Sequence, residues 1–138
     1  MNPQELRDRT KRLALGVVHL VREIPPSEAG RVIARQLLRS ATSVAANYRA
    51  TTRARSAPEF IARMAVVVEE SDESILWLEL LRDAEIVPPA RLAPLLNEFD
   101  QLLRIFAATL RTSRSRSAPS SRIGKTSRNR KSQIANHK

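Results

Sequence analysis

Two proline pairs, Pro25-Pro26 and Pro88-Pro89, together with the Ser56-Ala-Pro58 start signal, cut an otherwise helix-favouring chain into four segments. Proline lacks the N–H that an interior helical turn needs, and it pushes the residue before it out of the helical region. Between these breaks, large apolar residues recur every three to four positions, which is the helix period. The first segment reads as a helix over residues 4–23, with Leu6, Leu13, Val17, Leu20 and Ile24 on one face. Ser27 can cap a second helix over about 28–48, faced by Val32, Ile33, Leu37, Ala41, Val44 and Tyr48. Ser40, Ala41, Thr42, Ser43, Ala45 and Ala46 make that helix rich in small residues, which lets a neighbouring axis come close.

The third segment starts on Ser56-Ala-Pro-Glu59, where Ser56 can accept from the N–H three residues on and Glu59 can reach back. Pro58 falls in the first turn, where its missing N–H costs nothing. No breaker follows until Ile86-Val87-Pro88, and Phe60, Met64, Val67, Ser71, Ser74, Leu78 and Leu81 keep a heptad rhythm. The fourth helix is expected from Ala90 to Arg111, carried by Leu92, Leu95, Phe99, Leu102 and Phe106. Four such helices joined by short connections must pack antiparallel to their chain neighbours. The fold class is therefore all-α, an antiparallel up-down-up-down four-helix bundle over residues 1–112.

From about Thr112 the apolar period stops. Residues 113–138 read as a disordered basic tail rich in Ser, Arg and Lys, because so few apolar residues cannot offset the entropy of ordering. Segment 112–138 holds eight basic residues and no acid, whereas 1–111 has a net charge of only +2 of the chain's +10. Arg114, Arg116, Arg122, Lys125, Arg128, Arg130 and Lys131 are thus the candidate nucleic-acid contacts, drawn to phosphates by counterion release. No aromatic residue is interleaved among them, so base stacking has no support there.

Catalytic and metal chemistry find little footing. The chain has no cysteine, and neither His19 nor His137 has a glutamate three residues before it, as bundle di-metal sites require. No phosphate-cradling glycine loop or Ser–His–Asp set is present. No enzyme activity, metal or cofactor is expected. The acids Glu69, Asp72 and Glu73 on the third helix have two readings, a carboxylate pair for acid–base or divalent-cation chemistry, and a salt-bridged face. Arg31, Arg35 and Arg39 form a stripe at four-residue spacing on the second helix, which favours pairing with those acids. Arg39 is the expected key partner, and its removal is expected to destabilise the fold markedly. Ser40, Ser43 and Asn47 form a polar ridge that reads either as a small binding site or as a close helix contact with back-bonded hydroxyls. Trp77 and Tyr48 read as core or interface side chains in preference to nucleobase platforms.

The stretch Gln36-Leu-Leu-Arg-Ser-Ala-Thr-Ser-Val44, the Asn47-Tyr48 pair, Ser56 with Glu59-Phe60, and Trp77-Leu-Glu-Leu-Leu81 carry a resemblance. Together they resemble the short four-helix-bundle protein family, also described as ribosomal-RNA intervening-sequence proteins. The sequence departs from the family's usual pattern at Ala45, Ala50 and Leu76, where glycine, glutamate and an aromatic are common. The resemblance implies a left-handed bundle that assembles into a homo-oligomeric ring, pentamers being known among relatives. It also implies an association with RNA or DNA. A distant relative, the accessory protein of diversity-generating retroelements, works with a reverse transcriptase. No catalytic residue is established for the family. Apolar residues beyond one stripe (Val66, Val68, Ile75, Leu76, Trp77, Leu103, Leu110) point the same way, to faces covered by another subunit. The expectation is a non-enzymatic oligomeric scaffold on nucleic acid, with a protein–protein adaptor as the alternative. With no signal peptide and no stretch long enough to span a bilayer, a cytoplasmic location is expected.

Overall fold

A computed structural model describes residues 1–117 as four α-helices. They are α1 (Pro3–Glu23), α2 (Glu28–Thr51), α3 (Ala57–Asp83) and α4 (Pro89–Ser117). Each consecutive pair packs antiparallel, with α2 against α3 the most extensive contact and α1 against α4 the sparsest. The diagonal pairs lie apart, so the bundle is a square with α1 and α3 at opposite corners. Among the described residues no helix is long and apolar enough to cross a membrane.

The caps form where the sequence places them. Asn2 accepts from the Glu5 N–H, Ser27 from Gly30 and Ser56 from Glu59. Glu59 reaches back one residue further than expected, to the Arg55 N–H at 3.0 Å, so the start of α3 is tied to the loop before it. Helix α3 stops at Asp83, earlier than the proline signal. Glu85 takes a left-handed turn (φ 59°), and the N–H groups of Ile86 and Val87 fold back onto the Leu81 carbonyl. Val87 is thereby tucked into the core. A glutamate in a glycine-type position is why the sequence gives no sign of this stop.

The core is built from the expected stripes: Leu13, Val17 and Leu20 of α1, Leu37, Val44 and Tyr48 of α2, Met64, Val67 and Leu78 of α3, and Phe99, Leu102 and Phe106 of α4. Tyr48 stacks on Phe106 with ring centroids 5.2 Å apart. Between α2 and α3 the contact layer is small. Ser40 and Ser74 are fully buried and their hydroxyls meet at 2.8 Å. Ser71 is buried as well and bonds back to the Val67 carbonyl. On the opposite seam, a Cβ on Gly16 would stand 3.0 Å from the end of the Leu95 side chain, so α1 lies tightly against α4 at that position.

Three expectations change. Val32 is about half exposed, because it lies on the outer side of α2 while its neighbour Ile33 turns inward. Leu110 belongs to the core and is no surplus surface residue. Helix α4 continues past the expected boundary at 112, so residues 113–117, including Arg114 and Arg116, are helical. Extending a nucleated helix adds one bond per residue fixed, so serine and arginine suffice without an apolar period. Ser113 and Ser117 bond back to the carbonyls of Thr109 and Ser113, and Ser113 is half-buried alongside Phe60 and Ile61 of α3. Residues 118–138 of the expected tail lie outside the described residues.

Candidate nucleic-acid interface

Antiparallel packing gathers the start of α1, the end of α2, the start of α3 and the end of α4 at one end of the bundle. The sequence stores arginine and lysine at all four. Arg7 and Lys11 stand one turn apart on α1. Arg49 ends α2, Arg53 and Arg55 occupy the connection, Arg63 sits near the start of α3, and Arg114 and Arg116 close α4. Arg7, Lys11 and Arg49 line an open groove of about 410 Å³ between α1 and α2, floored by Ala14, Ala45 and Ala46. A second hollow of about 350 Å³ shares Ala46 and Arg49 and runs on to Arg53, Arg55 and Arg63. The floor exists because alanine leaves the space between the helices unfilled. The walls are cationic because Arg7, Lys11, Arg49 and Arg63 fall on the outer sides of their helices and Arg53 and Arg55 stand exposed in the connection.

Most of these cations lack acid partners. No carboxylate among the described residues lies within ion-pair distance of Arg7, Lys11, Arg49, Arg53, Arg55 or Arg63. Glu59 lies in the second hollow, but one of its oxygens is held by the Arg55 backbone N–H. Arg63 donates to the Asn47 side-chain oxygen at 3.2 Å, and Asn47 in turn bonds back to Ser43. The Arg7 Nε–H is buried and has no hydrogen-bond partner. Arg9 is the exception at this end. It is forked onto Glu98 and also donates to Gln101, binding α1 to α4. The hydrogen bond to Glu98 holds its guanidinium above its ordinary pKa, against the opposing effect of burial. Arg9 is a tie between helices and not part of the groove.

The sequence-predicted residues divide unevenly. Arg114 and Arg116 sit exposed on the last turns of α4, at the same end as the groove. Arg122, Lys125, Arg128, Arg130 and Lys131 lie outside the described residues. The groove residues escape a reading of the sequence because the charges of 1–111 nearly cancel along the chain, whereas in space they separate. The signal that could reveal them is positional: the helix ends that meet at this pole carry more bases than acids, whereas at the opposite pole Arg22, Arg31, Arg82 and Arg91 are balanced by Glu23, Glu28, Glu79 and Asp83.

The expected salt-bridge face is corrected. Only Arg39 of the three-arginine stripe pairs across helices, bonding Glu70 at 3.2 Å and also reaching Glu73. Arg31 and Arg35 have no acid within ion-pair distance among the described residues, and Glu69 and Asp72 are likewise exposed and unpaired. Glu79 and Asp83, level with Arg35 and Arg31 in the antiparallel register set by Ser40 and Ser74, pair instead with Arg82 on their own helix. Glu70, to which the sequence assigns no partner, lies three residues before Glu73 on the same flank. Glu73 also accepts from the Trp77 indole N–H at 3.2 Å. Tyr48 is buried, and burial pushes its phenol above the usual value against the opposing charge of Arg7. Neither Tyr48 nor Trp77 stands open as a stacking platform. Ser43 and Asn47 are engaged with each other and Arg63, so the polar ridge is a packing feature. Among the described residues, no group of three or more His, Asp or Glu side chains is arranged to hold a metal ion.

Residues 4–108 match the family described as 23S rRNA-intervening sequence protein. The chain is also similar to a crystal structure of a protein of unknown function from the S23 ribosomal protein family of Bacteroides thetaiotaomicron. That likeness has a TM-score of 0.74 at 25% identity and covers 80% of this chain and 99% of the other. No curated protein matches the chain.

Proposed function

The chain belongs to the 23S rRNA-intervening sequence protein family, and from that premise we propose that it is a non-enzymatic, self-assembling scaffold that holds RNA or DNA by the phosphate backbone. The observation that carries this reading is the basic end of the bundle, where the cations lining a continuous groove lack acid partners. Phosphate contacts of this type release counterions and bind with little regard to sequence. The five aromatic residues all lie within 1–117, and none of them lines the groove, Phe60 being half-buried between α3 and α4, which favours backbone contact over base stacking there. Arg114 and Arg116 extend the same surface, and the remaining basic residues of 118–138 are tethered to it by the chain. Assembly of several copies would raise the local concentration of such ends and strengthen a weak phosphate affinity.

The test uses the full-length chain and a fluorescent RNA duplex, followed by anisotropy across a salt series. The triple variant Arg49→Gln/Arg53→Gln/Arg55→Gln changes only exposed side chains and leaves the core intact. Wild-type affinity should fall steeply with salt. The variant's log–log slope should be shallower by about 0.9 for each phosphate that is no longer neutralised, hence by roughly two to three units. An unchanged slope removes the groove from the interface, and affinity indifferent to salt in the wild type defeats the phosphate reading altogether.

A further inference from the structure

The four helix ends that meet at the basic pole leave a cavity of about 220 Å³ between them, on the core side of the last turn of α2. Its buried walls are Leu6, Tyr48, Met64 and Phe106, and exposed Pro3 and Thr52 form its rim. Among the described residues no charged side chain lines it. Pockets for drug-sized ligands begin near about 300 Å³, so this one holds a single ring system. Ring faces and a thioether suit a flat, polarisable guest. Four hydroxyls reach the lining. Those of Thr51, Thr52 and Thr109 already donate to the carbonyls of Tyr48, Arg49 and Ile105, so toward a guest they can only accept. Tyr48 is 5% exposed, yet its phenol has no hydrogen-bond partner among the described residues. A buried phenol ordinarily finds one. The cavity thus offers several acceptors and one free donor, which matches the edge of a flat ring bearing both N–H groups and a ring nitrogen.

We propose that this cavity takes one unpaired, amino-bearing nucleobase, adenine or cytosine, of the nucleic acid whose phosphates lie on the groove. This rests on the phosphate reading above and adds the state of the strand. Tyr48 and Arg49 are consecutive, so cavity and groove stand back to back across the end of α2. Arg7 links the two, because it lines the groove while its charge acts on the Tyr48 phenol. A strand gripped by Arg7 and Arg49 therefore has an uncharged, ring-sized opening beside it. A base paired inside a duplex cannot use that opening. A bulged or single-stranded base is already out of the stack and loses little on entering.

The test uses the full-length chain and three fluorescent RNA hairpins: one fully paired, one with a single bulged adenosine, and one with an abasic site at the bulge. Anisotropy should show the bulged hairpin bound about tenfold tighter than the paired one, the gain expected from sheltering one base, and the abasic hairpin should lose that gain. Thr109→Phe puts a ring into the cavity and Tyr48→Phe removes the unpartnered hydroxyl, and neither residue lines the groove. Thr109→Phe should abolish the preference. Tyr48→Phe should cut it to about twofold, the loss of one hydrogen bond. The urea midpoint of Tyr48→Phe should equal or exceed that of the wild type, and a lower one would reveal a protein partner for the phenol and overturn the proposal. A bulged hairpin bound no tighter than the paired one overturns it too, as does a Thr109→Phe variant that keeps the preference. Adenosine monophosphate alone should bind far more weakly than the bulged hairpin, and equal or tighter binding would make the occupant a free nucleotide and overturn the strand as its source. The salt dependence of the paired hairpin reads the groove separately, so failure of the cavity and failure of the phosphate reading are distinguishable.

Discussion

Substitution at the Ser40–Ser74 contact decides whether α2 and α3 are held close by polarity or by size. The two hydroxyls have three hydrogen-bonding distances between them: 2.8 Å to each other, 3.2 Å from Ser40 to the Leu37 carbonyl, and 2.8 Å from Ser74 to the Glu70 carbonyl. Two hydroxyls own only two protons. The consistent assignment has Ser74 donating to Glu70 and Ser40 donating to Ser74, with the longest contact held in reserve. Ser74→Ala then leaves Ser40 free to turn to Leu37, so no buried donor is stranded. Its cost is one net hydrogen bond, about 1 kcal/mol, less about 0.5 kcal/mol of improved helix propensity. Ser40→Ala follows the same arithmetic. The double alanine variant gives up both hydroxyl bonds while gaining propensity twice, so it should be weaker than the wild type by only about 1 kcal/mol. Ser74→Leu is different. It places two extra heavy atoms at a position with no exposure, against a facing helix with no room to yield, and should cost about 3 kcal/mol. Urea unfolding followed by circular dichroism reads both as midpoint shifts at constant slope. A leucine variant as stable as the wild type would show spare room between the axes. A double alanine variant weaker by about 2 kcal/mol or more would show that the hydroxyl pair itself holds the helices.

Two further outcomes follow from the same geometry. Arg39→Ala should cost only about 0.5–1 kcal/mol, because the Arg39 side chain is 47% exposed and solvent screens its pairs with Glu70 and Glu73. A loss above about 3 kcal/mol in the same urea assay would mean the pair is effectively buried, as the sequence alone suggests. Glu85→Gly should raise stability by about 0.5–1 kcal/mol, since the left-handed turn at Glu85 strains a side chain that glycine lacks, partly offset by glycine's freer unfolded state. A lower unfolding midpoint for that variant would refute strain at this stop.

The four helices are legible because each writes its core face in leucine, valine and phenylalanine at helical spacing and because proline pairs separate them. Tyr48 and Phe106 both belong to the interior on that pattern, though nothing in the sequence says that they stack. Other features depend on where helices meet. Arg31, Arg35 and Arg39 look equivalent along α2, yet only Arg39 pairs with acids of α3, because Glu79 and Asp83 turn to Arg82 on their own helix. The stop at Asp83 is hidden because its left-handed residue is Glu85 instead of glycine. The continuation of α4 through Arg114 and Arg116 is hidden because a helix already nucleated needs no apolar period to propagate.

The groove is the least legible element, and the reason bears on function. A net charge of +2 over residues 1–111 suggests a neutral body with a cationic appendage. Folding sorts those charges instead. Up-down-up-down packing sends Arg7, Lys11, Arg49, Arg53, Arg55 and Arg63 to one end, and sends Glu79, Asp83 and Glu85 toward the other. Helix dipoles cannot account for the difference, because two N-termini and two C-termini meet at each end and their partial charges oppose. The field at the basic end therefore comes from side chains, those of Arg114 and Arg116 on the last turns of α4 included. Neutralising the groove should thus weaken phosphate binding even with every residue of 112–138 present.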